Sequence, residues 1–126
     1  MVTKSPRKQR KMLRNMPLHR RKKMFSAHLS EELRKQYGIR SITLRKGDTV
    51  EIVRGSFKGH VNKVASVDRK RGLINVEGVT IAKADEKQVA RPIHPSNVII
   101  TRLDTTDPLR KKRLDELAKK AKEASK

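Results

Sequence analysis

Apolar and polar residues alternate in short runs through the middle of the chain, as is typical of β-strands. In TVEIV, residues 49–53, Val50 and Ile52 fall on one face of such a strand. Four similar runs follow, separated by Gly, Pro and charged turn residues. The predicted strands span residues 49–53, 60–67, 72–79, 88–93 and 97–103. Five short antiparallel strands in about 60 residues predict a mainly β fold, a small closed five-stranded barrel.

The first segment of the chain has a helical pattern instead. Ser5 offers a capping hydroxyl and Pro6 suits the first helical position, so a short basic helix is predicted up to Asn15. Its apolar residues are too few to fold it alone, since short isolated helices are marginal in water. We therefore expect this arm to become ordered on its partner.

A second short helix is predicted in LSEELRKQYG, residues 29–38. Ser30 is in the N-cap position, two acids follow in the first turn, and Gly38 ends the helix. Leu33 and Tyr37 share one face, which we expect to dock on the barrel.

The last segment also predicts a helix. Asp107 precedes Pro108, which is a typical helix start. Apolar residues then recur at helical spacing, at Leu114, Leu117, Ala118 and Ala121. Charge surrounds this narrow stripe, so the helix is expected either to lie on a partner or to fray. The chain thus divides into a basic extension with short helices (1–40), the barrel (41–103) and a basic C-terminal helix (104–126).

Charge indicates the kind of partner. The chain has 33 Lys and Arg against 13 Asp and Glu, a net charge of +20, and its first 30 residues contain no acid. Such a surface repels itself unless an anion neutralises it, which favours nucleic acid. With only two Phe, one Tyr and no Trp, contacts to phosphate and to RNA shape should outweigh base stacking.

Other classes of protein are disfavoured. The longest apolar run is Val98 to Ile100, far short of the roughly 20 residues of a membrane helix, and the basic start lacks the apolar region of a secretory signal. No Cys is present, so disulfides and thiolate sites are excluded. The four His lie beside basic or turn residues, and His94 is expected to serve a turn. We predict a cytoplasmic protein, neither an enzyme nor a homo-oligomer, with no cofactor, metal or small-molecule substrate.

The loop RGSFKGH, residues 54–60, places Gly55 and Gly59 around Phe57. Glycine there allows a positive φ or the close approach of another backbone. The stretch 46–79 resembles the KOW motif, with its hallmark glycine at Gly59. Many KOW motifs have a further glycine where this chain has Asn62, and asparagine tolerates a left-handed backbone.

KOW motifs form SH3-like barrels in ribosomal proteins and transcription-elongation factors. Segments that flank this motif narrow the resemblance to one family among the KOW proteins. They are LHRRKK (18–23), LSEELRKQYGIRS (29–41), RKGDTV (45–50) and IHPSNVIITRL (93–103). Together they are similar to the archaeal and eukaryotic type of the large-subunit ribosomal protein family numbered twenty-four in bacteria and archaea and twenty-six in eukaryotes. The resemblance implies a structural protein that binds large-subunit ribosomal RNA near its 5′ region, beside the nascent-chain tunnel exit and early in assembly, among neighbouring ribosomal proteins. The alternative is a KOW-type elongation or chromatin protein.

The candidate RNA-binding residues are the cations and rings of the arm, the loops and the strand ends. They are Arg7, Lys8, Arg10, Lys11, Arg14, His19, Arg20, Arg21, Lys22, Lys23, Arg40, Arg45, Lys46, Arg54, Phe57, Lys58, His60, Lys63, Arg69, Lys70, Arg71, His94 and Arg102. Arginine can bridge phosphates bidentately and lysine adds point charge. For Phe57, stacking on a flipped base and folding back over the barrel end both stay open.

Overall fold

The computed structural model describes residues 2–124 and contains eight strands and four α-helices within them. The helices are α1 Pro6–Arg14, α2 Leu18–Arg21, α3 Glu31–Tyr37 and α4 Pro108–Ala124. Two 3-10 helices cover Lys22–Phe25 and Pro95–Asn97. The strands are β1 Ser26–Leu29, β2 Ser41–Thr43, β3 Thr49–Ile52, β4 Val61–Asp68, β5 Leu73–Val76, β6 Thr80–Ala82, β7 Gln88–Ala90 and β8 Val98–Arg102.

Six strands form one mixed sheet in the order β2-β1-β8-β3-β4-β5. Its neighbouring strands are antiparallel except β1 and β8, which run parallel, with His28 opposite Ile99. Within residues 2–124 the edge strands β2 and β5 are not paired with each other, so the sheet is open. The mainly β character is confirmed, whereas the closed five-stranded barrel is not.

Four of the five predicted strands correspond to β3, β4, β5 and β8 of the main sheet. The predicted strand 88–93 is different, because only Gln88–Ala90 forms a strand, and it pairs with β6 in a separate hairpin. Pro92 has no N–H group to donate to a ladder. Beyond it, Ile93 makes one isolated bridge to Ile74 of β5. Strands β1, β2 and β6 were not predicted.

Strand β1 lies in the sheet although it belongs to the segment predicted as an extension. Its residues alternate in burial, with Ala27 and Leu29 buried and Ser26 and His28 exposed. Phe25, immediately before it, is 2% exposed and is part of the hydrophobic core. The core therefore begins at residue 25.

The helices α1 and α3 form where they are predicted. Neither Ser5 nor Ser30 makes a side-chain capping hydrogen bond, but Gly38 ends α3 with φ +68° and donates its N–H to the Arg34 carbonyl at 2.8 Å. Leu33 and Tyr37 pack against the core, as expected. Helix α1 buries no residue.

Helix α4 packs against its own chain, which corrects the expectation that it would lie on a partner or fray. The Leu109 N–H donates to Asp107 Oδ1 at 3.0 Å and caps the helix start. Leu114 is buried, and the rest of the predicted stripe is half-buried. The contact with α3 is so close that a Cβ on Gly38 would lie 2.8 Å from the Ala121 Cβ. Helix α3 therefore covers the apolar stripe of α4.

Candidate nucleic-acid interface

The loop between β3 and β4 uses both of its glycines for backbone conformation. Gly55 has φ +90° and Gly59 has φ +95°. The Gly59 N–H donates to the Ile52 carbonyl at 2.8 Å, and the Ile52 N–H donates to the His60 carbonyl at 2.9 Å. A Cβ built on either glycine meets no atom within 4 Å. Positive φ, and not close packing within the described chain, therefore accounts for glycine here.

Asn62 does not take part in this loop. It lies in β4 opposite Val50, and Glu86 is the non-glycine residue with positive φ among those described. The loop therefore forms without a left-handed residue at position 62.

Phe57 folds back over the end of the sheet. It is half-buried and packs against the core. The His60 ring meets it edge-on with centroids 5.7 Å apart, and the Arg91 guanidinium lies 5.6 Å from its centroid. Arg91 also donates to Ser56 Oγ at 3.2 Å. Sequence reasoning missed Arg91, because it is distant in sequence from Phe57 and lies within the predicted strand 88–93.

The N-terminal arm, residues 2–25, and the β4–β5 turn, residues 69–72, are in contact in the structure. The Arg21 guanidinium donates to backbone carbonyls on both sides of this contact. Met24 lies against the turn, since its Cε is 3.0 Å from the position of a Cβ on Gly72. Two basic segments that are far apart in sequence are thereby brought together.

The predicted residues are almost all exposed, and only Arg21 and Phe57 are half-buried. Helix α1 carries Arg7, Lys8, Arg10, Lys11 and Arg14; α2 and the following 3-10 helix carry His19, Arg20, Arg21, Lys22 and Lys23. The connections before β3 carry Arg40, Arg45 and Lys46, and the β3–β4 loop carries Arg54, Phe57, Lys58 and His60. Lys63 is in β4, Arg69, Lys70 and Arg71 form the β4–β5 turn, His94 precedes the second 3-10 helix, and Arg102 ends β8. Their binding role stays a prediction.

Few of these cations are neutralised within the chain. Among residues 2–121, Arg45 and Arg110 are the basic side chains in ion pairs, with Asp107 and Asp48 respectively. The hydrogen bond from Arg45, followed by that from the Leu109 N–H, holds the pKa of Asp107 below its usual value. The other cations of this range leave the surface strongly positive, which favours an anionic partner.

His94 has the turn role that was expected. Its Nδ1 accepts from the Ser96 N–H at 3.2 Å and lies 2.7 Å from the Ser96 hydroxyl. The side chain thus caps the 3-10 helix that leads into β8. This capping explains the residue without any catalytic chemistry.

A buried ion pair that was not predicted from the sequence joins α4 to the sheet. Arg110 donates Nη1 to Asp48 Oδ1 at 2.6 Å and Nη2 to Asp48 Oδ2 at 2.8 Å. Asp48 also accepts from the Arg45 and Asp104 N–H groups, each at 2.9 Å. Arg110 donates further to the Thr43 and Asp104 carbonyls. Both side chains are thus satisfied inside the protein, so the pair is structural.

The described residues show no grouping of three or more His, Asp or Glu that could hold a metal ion. No helix within residues 2–124 combines the length and the apolar character needed to cross a membrane.

The fold and surface define a class of protein, namely a small, strongly cationic β protein with helical extensions. The family of ribosomal proteins described as L26 in eukaryotes and L24 in archaea matches residues 3–117, and the chain belongs to this family. The chain is 50% identical over 122 residues to the large ribosomal subunit protein uL24 of Sulfolobus acidocaldarius, covering 97% of this chain and 89% of that protein. It is 51% identical over 118 residues to the uL24 of Korarchaeum cryptofilum, covering 94% and 90% respectively.

The resemblance stated from the sequence motifs is therefore confirmed. As a member of a ribosomal protein family, the chain is a structural and non-enzymatic component of the translation machinery, located in the cytoplasm.

Proposed function

We propose that the chain is a structural constituent of the large ribosomal subunit and binds large-subunit ribosomal RNA. The observation that carries this proposal is the exposed, largely unpaired positive surface over the arm and the loops. A folded RNA supplies a dense array of phosphates that can neutralise such a surface. The two similar archaeal proteins are both named as large-subunit proteins.

Contacts to the RNA backbone are expected to dominate over base readout. Arg69, Lys70 and Arg71 are all exposed at one turn, and phosphate contacts fix the position of a protein without reading sequence. The open space around Gly55 and Gly59 allows the neighbouring side chains of Arg54 and Lys58 to approach a phosphate closely. Phe57 is already packed against its own chain, so base stacking there would require it to move.

The finer parts of the proposal rest on the family resemblance. We infer that β3, β4, β5 and β8 are the counterpart of the KOW-type SH3-like barrel. We also infer that the protein binds near the 5′ region of the RNA, close to the tunnel exit, and joins the subunit early in assembly beside other ribosomal proteins. These inferences concern the same surface and the same RNA.

The test compares two nucleic acids at equal salt. A fragment from the 5′ region of large-subunit RNA should bind more tightly than random duplex DNA of the same length. Its affinity should fall steeply with salt, because each neutralised phosphate of a single strand releases about 0.7 counterion. Equal or tighter binding of duplex DNA would instead support the chromatin-type alternative, and a nearly salt-independent affinity would refute the electrostatic account.

Co-sedimentation tests the assembly. The protein should remain with the large subunit through a high-salt gradient and should be present in the earliest precursor particles. Loss from the subunit at moderate salt, or appearance only in late particles, would contradict the proposed place in assembly.

A further inference from the structure

Arg21 holds two separate basic segments together through its guanidinium group. Its Nε donates to the Met16 carbonyl at 2.9 Å and its Nη2 to the Arg14 carbonyl at 3.0 Å, both in the arm. Its Nη1 donates to the Lys70 carbonyl at 2.7 Å, with the Arg69 carbonyl at 3.4 Å, both in the β4–β5 turn. One side chain thus reaches a backbone carbonyl 49 residues further along the chain.

These bonds occupy all three nitrogen atoms of the guanidinium group. Arginine has five N–H donors in a planar fork, and the fork of Arg21 is directed at carbonyl oxygens in a half-buried position. Its neighbour Arg20 is exposed and makes no side-chain hydrogen bond within residues 2–124. The two adjacent arginines therefore have different roles.

The β4–β5 turn is built to receive this contact. Asp68 Oδ1 accepts from the Lys70 N–H at 3.1 Å and the Arg71 N–H at 3.2 Å. Gly72 closes the turn with φ +73° and donates its N–H to the Asp68 carbonyl at 2.9 Å. These amides are thus bonded within the turn, while the Lys70 carbonyl accepts from Arg21. The guanidinium covers an oxygen atom that would otherwise repel a phosphate.

Apolar packing contributes little to holding the arm. Helix α1 buries no residue, and its Met12 and Leu13 are exposed. Met24 lies against Gly72 at the other end of the arm. Between these points, the hydrogen bonds from Arg21 to the Lys70 and Arg69 carbonyls join the arm to the turn.

We propose that Arg21 is a positioning residue that unites the arm and the β4–β5 turn into one surface for the RNA backbone before RNA is bound. This inference rests on the proposed function. The sequence predicts an arm that becomes ordered only on its partner, whereas the bonds of Arg21 hold the C-terminal end of α1 beside the turn in the free protein. Pre-organisation of this kind increases affinity because less freedom is lost on binding.

The first test measures the free protein. The chain has no cysteine, so Lys11→Cys and Lys70→Cys introduce two unique spin-label sites. The Lys70 side chain can be replaced because Arg21 binds its backbone carbonyl. Double electron–electron resonance between the two spin labels should give a narrow distance distribution when Arg21 is present. The distribution should be broad after Arg21→Lys, since a lysine ammonium group cannot make the three-nitrogen contacts of the guanidinium group. The control Arg20→Lys should leave the distribution narrow.

The second test measures RNA binding without labels. Arg21→Lys keeps the charge, so the salt slope should stay the same while the affinity for the 5′ RNA fragment falls about tenfold. The control Arg113→Lys, at an exposed arginine of α4 outside the candidate RNA-binding residues, should bind within about twofold of the unchanged protein. The thermal transition of Arg21→Lys should shift only slightly, because α1 and α2 bury no residue and the bonds of Arg21 reach only the arm and an exposed turn.

Two results would overturn the inference. Unchanged affinity in Arg21→Lys would show that the contact has no effect on binding. An unchanged distance distribution with reduced affinity would make Arg21 an RNA ligand and not a positioning residue. The binding of the unchanged protein tests the proposed function separately. If that proposal is wrong, the unchanged protein should bind the RNA fragment no better than duplex DNA.

Discussion

Replacing Asp48 with alanine should strongly destabilise the fold. Asp48 is completely buried, and the side chain of its partner Arg110 is only 5% exposed. The substitution leaves the guanidinium with the Thr43 and Asp104 carbonyls as its remaining acceptors. It also removes the acceptor of the Arg45 and Asp104 N–H groups. The variant therefore combines an uncompensated buried charge with two unsatisfied amides.

These losses determine how far Asp48→Ala should lower the free energy of unfolding. Breaking a buried pair from one side costs about 3 to 5 kcal/mol, and the two part-buried amides add about 1 kcal/mol between them because water can reach them. We expect Asp48→Ala to lower the free energy of unfolding by about 4 to 6 kcal/mol, against a total of about 5 to 15 kcal/mol for a typical domain. Arg110→Met should cost less, about 3 kcal/mol, because the Asp48 carboxylate keeps two N–H donors.

The assay is urea denaturation followed by far-UV circular dichroism at pH 7, with the slope against urea compared between variants. The double variant Asp48→Ala, Arg110→Met should be destabilised by less than the sum of the single variants, since it leaves no buried charge unpaired. A loss below about 1 kcal/mol for Asp48→Ala, or additive effects in the double variant, would refute the reasoning.

The exposed pair of Arg45 and Asp107 provides the matched control. Arg45→Met removes the hydrogen bond that contributes most to lowering the pKa of Asp107. Because the folded-state pKa is lowered, the stabilisation is present above the unfolded value of about 4 and disappears as the pH falls through the folded value. The difference in unfolding midpoint from the unchanged protein should be small at pH 7 and should shrink further as the pH falls below about 4. A difference in unfolding midpoint that grows as the pH falls would contradict the expected direction of this pH dependence.

Two further predictions concern packing. Gly38→Ala should lower the thermal midpoint of unfolding by several degrees, because it combines φ +68° with a Cβ 2.8 Å from that of Ala121; an unchanged midpoint would show that α3 and α4 are not packed closely. Deletion of residues 1–16 should leave the cooperative transition in circular dichroism intact, whereas deletion of residues 1–25 removes Phe25 and should cost about 3 to 5 kcal/mol. Equal stability of the two truncated proteins would place Phe25 outside the core.

Local patterns predicted most elements of the fold but not the long-range pairing of its strands. Strands β3, β5 and β8 alternate clearly, and these strands and β4 are rich in β-branched residues, so their positions follow from the sequence. Strand β1, SAHL, has four residues and none that is β-branched. Its place is decided by pairing with β8, about 70 residues away, and such a partner is invisible to a local pattern. Strands β1 and β2 extend the sheet beyond β8.

The candidate surface was predicted by charge, whereas its internal organisation was not. Arg21 looks like any other arginine of the arm in sequence, and its role depends on carbonyl groups of a turn that is distant along the chain. The position of Arg110 in the sequence does indicate its buried role. It lies on the apolar stripe of α4, four residues before the buried Leu114, and a charged residue at such a position indicates a buried partner.

The pairing of Asp48 with Arg110 also affects the order in which the protein can mature during its own synthesis. Asp48 leaves the peptidyl-transferase centre 62 residues ahead of Arg110, and β1 likewise precedes β8. Until both later segments have emerged, an acidic side chain made for a dry interior remains hydrated in a partly collapsed nascent polypeptide. We therefore expect folding to be completed late in synthesis, after both of these later segments are available.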